Sequence, residues 1–414
     1  MKLALQSMFH NKGRTLLILM LSTLSFVLAL ITLTNAFAFH TQKNMILDKF
    51  TTNLDETYQI NFFVEDMNEA GALISEYKHR IAQLPQYMSG GFDESGVYFD
   101  ELADHAEYLA LNQQEYAGTF RETAPQIAET VFIDPDMLNI ISCPLRPSDL
   151  APIEQDGQLY LPLYLGDDFR SVIELGERLT LSHNGTQYIV KGYLDRGTSW
   201  LHNDLTMPPI TLDHKFLAPF SEADRFDFMT QLSTSGKFWV VSEGPDSEAV
   251  DHLRDLAKHL DMKVVVKPMS EFMEEWSSAN EEIQSQQRFL AGIVLLCSAM
   301  SIISTLTVSI LLRKKEFAIR IAFGATKREL IKSLMIEMSL VMSASAIISL
   351  ACVYSINMNS LARDFHRVYL ITLGSYSMTG LVLLIILFLI IVLIVPMSIL
   401  SRYEAAPLLK EEAA

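Results

Sequence analysis

Histidines, among them His105, His183, His202, His214 and His252, stand among many carboxylates between residues 41 and 287. Imidazole and carboxylate are the usual proton-transfer groups and, when they converge, the usual metal ligands. The nearest approach to a cluster is His202-Asn203-Asp204. No spacing assembles a nucleophilic triad or a closed metal site, so these residues read as a solvated polar surface and not as an active site. The cysteines are Cys143, Cys297 and Cys352, and the last two fall inside apolar runs. An intrachain disulfide framework for residues 41–287 is therefore excluded.

A second concentration of charge lies at Arg313–Glu337, RKKEFAIRIAFGATKRELIKSLMIE. Seven cations, Arg313, Lys314, Lys315, Arg320, Lys327, Arg328 and Lys332, fit contact with lipid phosphates. Lipid contact does not account for the interleaved Phe317, Ile319, Ile321, Ala322 and Phe323, nor for Glu316 and Glu329. Docking to a protein accounts for both. The spacing predicts two short helices meeting at Gly324, where a side chain would force an unfavourable dihedral angle. Ile319 would supply apolar contact, and Glu316 and Arg320 would place charges at the interface or pair with each other across four residues.

The elements that must carry this segment are read from four stretches without Asp, Glu, Lys or Arg: Thr15–Phe39, Phe289–Leu312, Met338–Ala362 and Val368–Ser401. Each holds the roughly 20 residues that cross a hydrocarbon core. The expected spans are 15–39, 288–312, 338–361 and 375–401, with a cytoplasmic amino terminus at 1–14, a coupling segment at 313–337, a short outer loop at 362–374 and a cytoplasmic tail at 402–414. A signal peptide is the competing reading of the first run, with Lys2, Lys12 and Arg14 before it and Ala36-Phe37-Ala38 near its end as a weak cleavage region. An anchoring helix fits its 25-residue length better. Lys2, Lys12 and Arg14, together with the cations of 313–332, put both of these segments on the cytoplasmic side.

The intervening residues 40–287 are then extracytoplasmic, and they are numerous enough for one large core or two smaller ones. Residues 41–287 hold 17 basic against 42 acidic residues, a formal charge of −25. Such a surface repels nucleic acid and anionic lipid, so no nucleic-acid ligand is expected. Tyr58, Ile60 and Phe62 alternate with Gln59, Asn61 and Phe63 as in a strand with one wet face, and Leu73, Ile74, Tyr77, Ile81 and Leu84 follow at helical spacing. Near the other end, Phe238–Val241, Ser247–Leu260 and Val264–Val266 read as strand, amphipathic helix and strand. The two ends are expected to meet in an α+β layer. Between them a mainly β insertion is expected near 125–230, with Arg178–Ser182 and Gln187–Tyr193 joined by a turn at Asn184-Gly185. From Ser270 a helix is expected to run unbroken to Leu312, with Phe272, Trp276 and Ile283 packing along a stalk.

Lys315-Glu316-Phe317-Ala318-Ile319-Arg320-Ile321-Ala322-Phe323-Gly324-Ala325-Thr326-Lys327-Arg328-Glu329, closing at Ile336-Glu337, resembles the FtsX-like and MacB-like permease family. Phe317 and Phe323 stand where that family usually has aliphatic residues. The order of segments, Glu174–Tyr193 in the outer domain and the closing Ala406-Pro407-Leu408-Leu409-Lys410 extend the likeness. The resemblance implies an α-helical membrane protein with four transmembrane helices and a large α+β extracytoplasmic domain inserted between helices 1 and 2, in a bacterial cytoplasmic or inner membrane. It also implies a non-catalytic permease or mechanotransmission subunit of an ABC complex, which works with soluble ABC ATPase subunits and with a second copy of the chain or a homologous permease. An extracytoplasmic adaptor and membrane lipids are further expected partners. ATP and Mg are expected on the partner, since no Walker phosphate loop occurs in the sequence. On this reading Glu316, Ile319, Arg320, Gly324 and Ala325 form the ATPase-coupling surface. An ATP-independent receptor or sensor with an outer ligand-binding domain is the alternative.

Overall fold

The computed structural model of the 414-residue chain describes residues 12–63, 67–220, 237–244, 248–360 and 377–401. Outside these lie most of the expected amino terminus, the loop 362–374, the tail 402–414 with its closing motif, Val64, and residues 221–230 of the expected insertion. The chain divides into two compact units, Gln42–Ser278 and the pair of segments Met1–Thr41 and Ala279–Ala414.

Gln42–Ser278 is built on one mixed sheet. Its strands are β1 (Thr57–Phe63), β2 (Tyr87–Val97), β3 (Ala128–Ile133), β4 (Ile153–Gln155), β5 (Gln158–Leu165), β6 (Arg178–Thr180) and β7 (Gln187–Tyr193), followed by β10 (Phe216–Pro219), β11 (Lys237–Ser242) and β12 (Lys263–Pro268). β8 (Ser199–Trp200) and β9 (Ile210–Thr211) pair separately. The order is β12-β1-β11-β2-β3-β10-β5-β7-β6, with β4 on β5. The two ends of this unit meet as the sequence predicts: Tyr58 of β1 lies opposite Val240 of β11 and Pro268 of β12. The middle segment adds its strands to the same sheet, through the parallel pairing of β10 with β3. In the β6–β7 hairpin, Gly185 takes the positive φ of 75° that an Asn-Gly turn favours.

Successive strand residues point to opposite faces, and here both faces are covered. Phe238 and Val240 of β11 enter one core with Tyr58, Ile60 and Phe62 of β1. The helices α2 (Met67–Ala82) and α4 (Ala249–Lys258) close that core with Ile74, Tyr77, Ile81, Leu253 and Ala257. Trp239 and Val241 face the other way, into a second core with Phe92, Trp200 and Ile133. The expected wet face of β1 is confined to Asn61 and Phe63, since Gln59 is buried. A further helix, α3 (Ala106–Glu115), is capped by His105, whose Nδ1 accepts from the Tyr108 N–H at 3.2 Å.

The other unit holds helices. α1 (Lys12–Leu47), α5 (Met269–Leu312), α7 (Lys327–Ser360) and α8 (Met378–Ser401) are, among the described residues, four helices long and apolar enough to cross a membrane. The unit boundaries fall inside α1, after Thr41, and inside α5, after Ser278. Phe272 and Trp276 pack against the second core of the sheet unit. Ile283 lies beyond Ser278 and is 54% exposed. The helices of the bundle share one apolar core, and hydroxyls join α1 to α7, to α5 and to the residue just before α8: Ser22 to Ser345 at 2.6 Å, Ser25 to Ser298 at 2.6 Å and Thr34 to Ser377 at 3.2 Å.

Candidate coupling site

Between α5 and α7 lies α6 (Lys314–Ala322), the first of the two short helices expected in this segment. The second is no separate helix. α7 runs 34 residues from Lys327, because Leu330, Leu334 and Met338 continue one buried face with no breaker between them. The third span and the expected short helix are thus one element.

The corner is closed by hydrogen bonds. Ala325 N–H donates to Arg320 C=O at 3.0 Å and Gly324 N–H to Ile321 C=O at 2.9 Å, the paired bonds of a Schellman ending. Gly324 has φ +93°, and no atom lies within 4 Å of where its Cβ would be. Glycine is required here for backbone conformation and not for space. Thr326 and Glu329 then start α7 as a capping box, with Thr326 N–H donating to Glu329 Oε2 at 2.9 Å and Glu329 N–H to Thr326 Oγ1 at 3.3 Å.

α6 has two faces. Phe317 is buried in the bundle core, and Ala318 next to it is buried as well. Ile319 is 44% exposed and Phe323, just past the helix end, is 89% exposed, one turn further on the same side. Glu316 is held within the segment: Arg313 Nε donates to it at 2.8 Å and Arg320 Nη2 at 2.5 Å. Hydrogen bonding from Arg313, and then its charge with that of Arg320, outweigh desolvation and hold the Glu316 carboxyl below its usual range. The Arg313 guanidinium also lies 5.1 Å over the Phe317 ring.

The five candidate residues are thus neighbours with different tasks. Glu316 and Arg320 pair with each other, Gly324 and Ala325 close the corner, and Ile319 is presented outward. Phe323 was not among the candidates, although its position four residues after Ile319 marks the same helix face.

The histidines are not brought together. His214 Nε2 lies 2.8 Å from Asn112 Oδ1 with Phe169 and Tyr116 against its ring, and His202 Nε2 is 4.0 Å from Glu94. His252 Nε2 lies 4.0 Å from Glu248, the residue just before its helix. Among the described residues, no group of three or more His, Cys, Asp or Glu is placed to hold a metal ion.

A comparison with curated proteins finds no match. Residues 288–407 match the model of the FtsX-like permease C-terminal domain, a stretch that takes in the apolar part of α5 and all of α6, α7 and α8. Residues 288–407 are thus similar to the C-terminal domain of FtsX-like permeases, and four helices among the described residues are long and apolar enough to cross a membrane.

Proposed function

We propose that the chain couples ATP hydrolysis on a separate ABC ATPase to movement of residues 42–278, and that α6 is where the ATPase docks. The observation that carries this is the division of α6 into a buried face, Phe317 and Ala318, and an apolar face left exposed, Ile319 and Phe323. An exposed pair of large apolar side chains one turn apart is what a groove on a partner takes up as anchors. The amino terminus, 313–332 and the carboxyl tail are cytoplasmic on this reading, and 41–287 lies outside a bacterial inner or cytoplasmic membrane. ATP and Mg are bound by the partner. A second copy or a homologous permease completes the complex, and the acidic outer domain meets cargo or an adaptor. Conformational work of this kind requires states with different contacts at both sites.

The test is to substitute Ile319→Asp and Phe323→Asp, with Ile319→Leu as the mild control, and to measure ATPase co-purification and lipid-reconstituted ATPase stimulation at matched expression. A carboxylate facing an apolar groove should abolish both through desolvation. Unchanged binding and stimulation in both Asp variants would remove α6 as the docking surface.

A further inference from the structure

At the end of the bundle that carries α6, a charged side chain is buried among the spans. Arg14, near the start of α1, pairs through Nη2 with Glu337 Oε1 of α7, and its Nη1 donates to Ser309 Oγ near the end of α5. The two side chains are 11% and 5% exposed. Ser309 lies three residues before the last residue of α5, and Glu337 lies ten residues into α7, about 15 Å along the axis at 1.5 Å per residue. α5 and α7 are the two helices between which α6 is strung, so one guanidinium holds both of α6's neighbours to the first span.

Burying two charges is costly, and an apolar pair of similar volume is commonly as stable or more so. Here the flanking residues Ile18, Ile310, Leu334 and Met338 are all buried and apolar, so an apolar pair at 14 and 337 would suit the surroundings. An ion pair adds direction: the planar guanidinium fixes where Ser309 and Glu337 stand relative to each other, which dispersion contacts do not. α6 is itself seated on this core through Phe317. Its position therefore depends on the spacing of the α5 and α7 ends.

We infer that Arg14 and Glu337 are positioning residues, which set where α6 stands by fixing the end of α5 and the first turns of α7 against α1. This rests on the reading of α6 as the coupling element, and its test does not need the ATPase. Spin labels at Leu17→Cys and Ala322→Cys, both exposed sites, would report the distance from the first span to α6 in the full chain in lipid nanodiscs, with Cys143, Cys297 and Cys352 replaced by Ala. With Arg14 and Glu337 present, the distance distribution should be narrow. In the Arg14→Met/Glu337→Leu double variant it should broaden and shift while the thermal midpoint of the bundle stays where it was. Arg14→Lys, which keeps the charge but loses the fork, should fall between. An unchanged distribution would overturn the inference, and so would broadening together with a lowered midpoint, since the pair would then only hold the bundle together. Ile319→Asp should leave this distance alone while abolishing ATPase binding, so failure of the docking surface and failure of the positioning pair are told apart.

Discussion

The sheet unit and the helical unit bury different side chains. Trp200, Trp239, Tyr77, Tyr108, Tyr160, Tyr188, Phe92, Phe99, Phe216 and Phe238 are among the largest fully buried side chains, and all belong to Gln42–Ser278. Of the same set only Phe26 and Ile18 belong to the bundle, whose core is mostly Leu, Ile, Val and Met, with Phe317, Phe388, Ala299 and Ala346 and with buried Ser22, Ser25, Ser298, Ser345 and Ser349. The reason is the solvent each unit folds in. Against water, every square ångström of apolar surface removed is favourable, and large rings remove the most. Against lipid that gain vanishes, and helices associate through close packing of small residues and interhelical hydrogen bonds. The exposed Leu16, Leu17, Met20, Phe289, Leu296 and Met300 belong to the bundle and suit a lipid surround.

Trp239→Ala should give the largest effect. Its ring lies 5.1 Å from Phe50 and 5.7 Å from Phe92, fully buried, and a truncation of this kind costs about 3–5 kcal/mol. Thermal unfolding followed by tryptophan fluorescence is selective here, because Trp200, Trp239 and Trp276 all lie in the sheet unit. The midpoint should fall by roughly 6–20 °C at about 2–4 °C per kcal/mol. A fall of the same size from Leu306→Ala, buried in the bundle core, read by a probe in the bundle would erase the contrast between the units.

Lys215 comes next. Its ammonium, 13% exposed, lies 2.7 Å from Glu94 and pairs also with Glu129, which Arg121 meets at 2.6 Å. Burial works against the charged form of each group. For Lys215 the carboxylates of Glu94 and Glu129 outweigh it and hold the ammonium above its usual value. For Glu129 the charge of Lys215 and then that of Arg121 outweigh it and hold the carboxyl below its usual value. A lowered carboxyl contributes stability above its unfolded value and loses it as pH falls through the folded one; a raised ammonium contributes below its unfolded value and loses it as pH rises through the folded one. The cluster should therefore stabilise the sheet unit fully at neutral pH and lose its contribution at both extremes. Lys215→Met, which leaves two carboxylates buried, should cost about 3 kcal/mol. It should also flatten the alkaline limb of the pH–stability curve, and an unaltered limb would show that the cluster does not act this way.

How much of this the sequence carries differs between the units for the same physical reason. The spans are legible because lipid demands long uncharged runs, and the corner at Gly324 because only a few residue types adopt positive φ. The order of strands is not: β3 and β10 pair across more than eighty residues, and nothing local in Phe216–Pro219 names its neighbour. Alternation in β11 suggests a strand, but not that Phe238 and Trp239 enter two separate cores. Arg14 reads in the sequence as one of the cations flanking a span. Its partner Glu337 is 323 residues away, so only the folded chain shows that this charge is turned inward.

Ser345→Ala should have a smaller effect. It removes the 2.6 Å contact with Ser22, while Ser22 keeps its bond to Ile18 C=O at 2.7 Å. Interhelical hydrogen bonds in membranes average about 0.6 kcal/mol and reach roughly 1.7. Denaturant unfolding in mixed micelles should show a loss in that range, whereas a loss like that of Trp239→Ala would mean the bundle depends on its hydroxyls as the sheet unit depends on its rings.

The smallest stability effect is expected at Glu316, and it decides between two roles. The carboxyl is 41% exposed and lies between Arg313 and Arg320 at helical spacing, so solvent screens the pair and its removal by Glu316→Gln should cost no more than about 0.5 kcal/mol. With the folded value lowered, this contribution is present above the unfolded carboxyl range and is lost as pH falls through the folded value. If Glu316 serves only inside the helix, the Gln variant should keep ATPase co-purification, and added salt should weaken binding equally in both proteins. Phe323→Asp should abolish binding in either case, because that ring is 89% exposed and lies on the proposed docking face. A Glu316→Gln protein that lost the ATPase and its salt dependence together would instead make the carboxylate a direct contact, and the docking surface would then be ionic at Glu316 as well as apolar at Ile319 and Phe323.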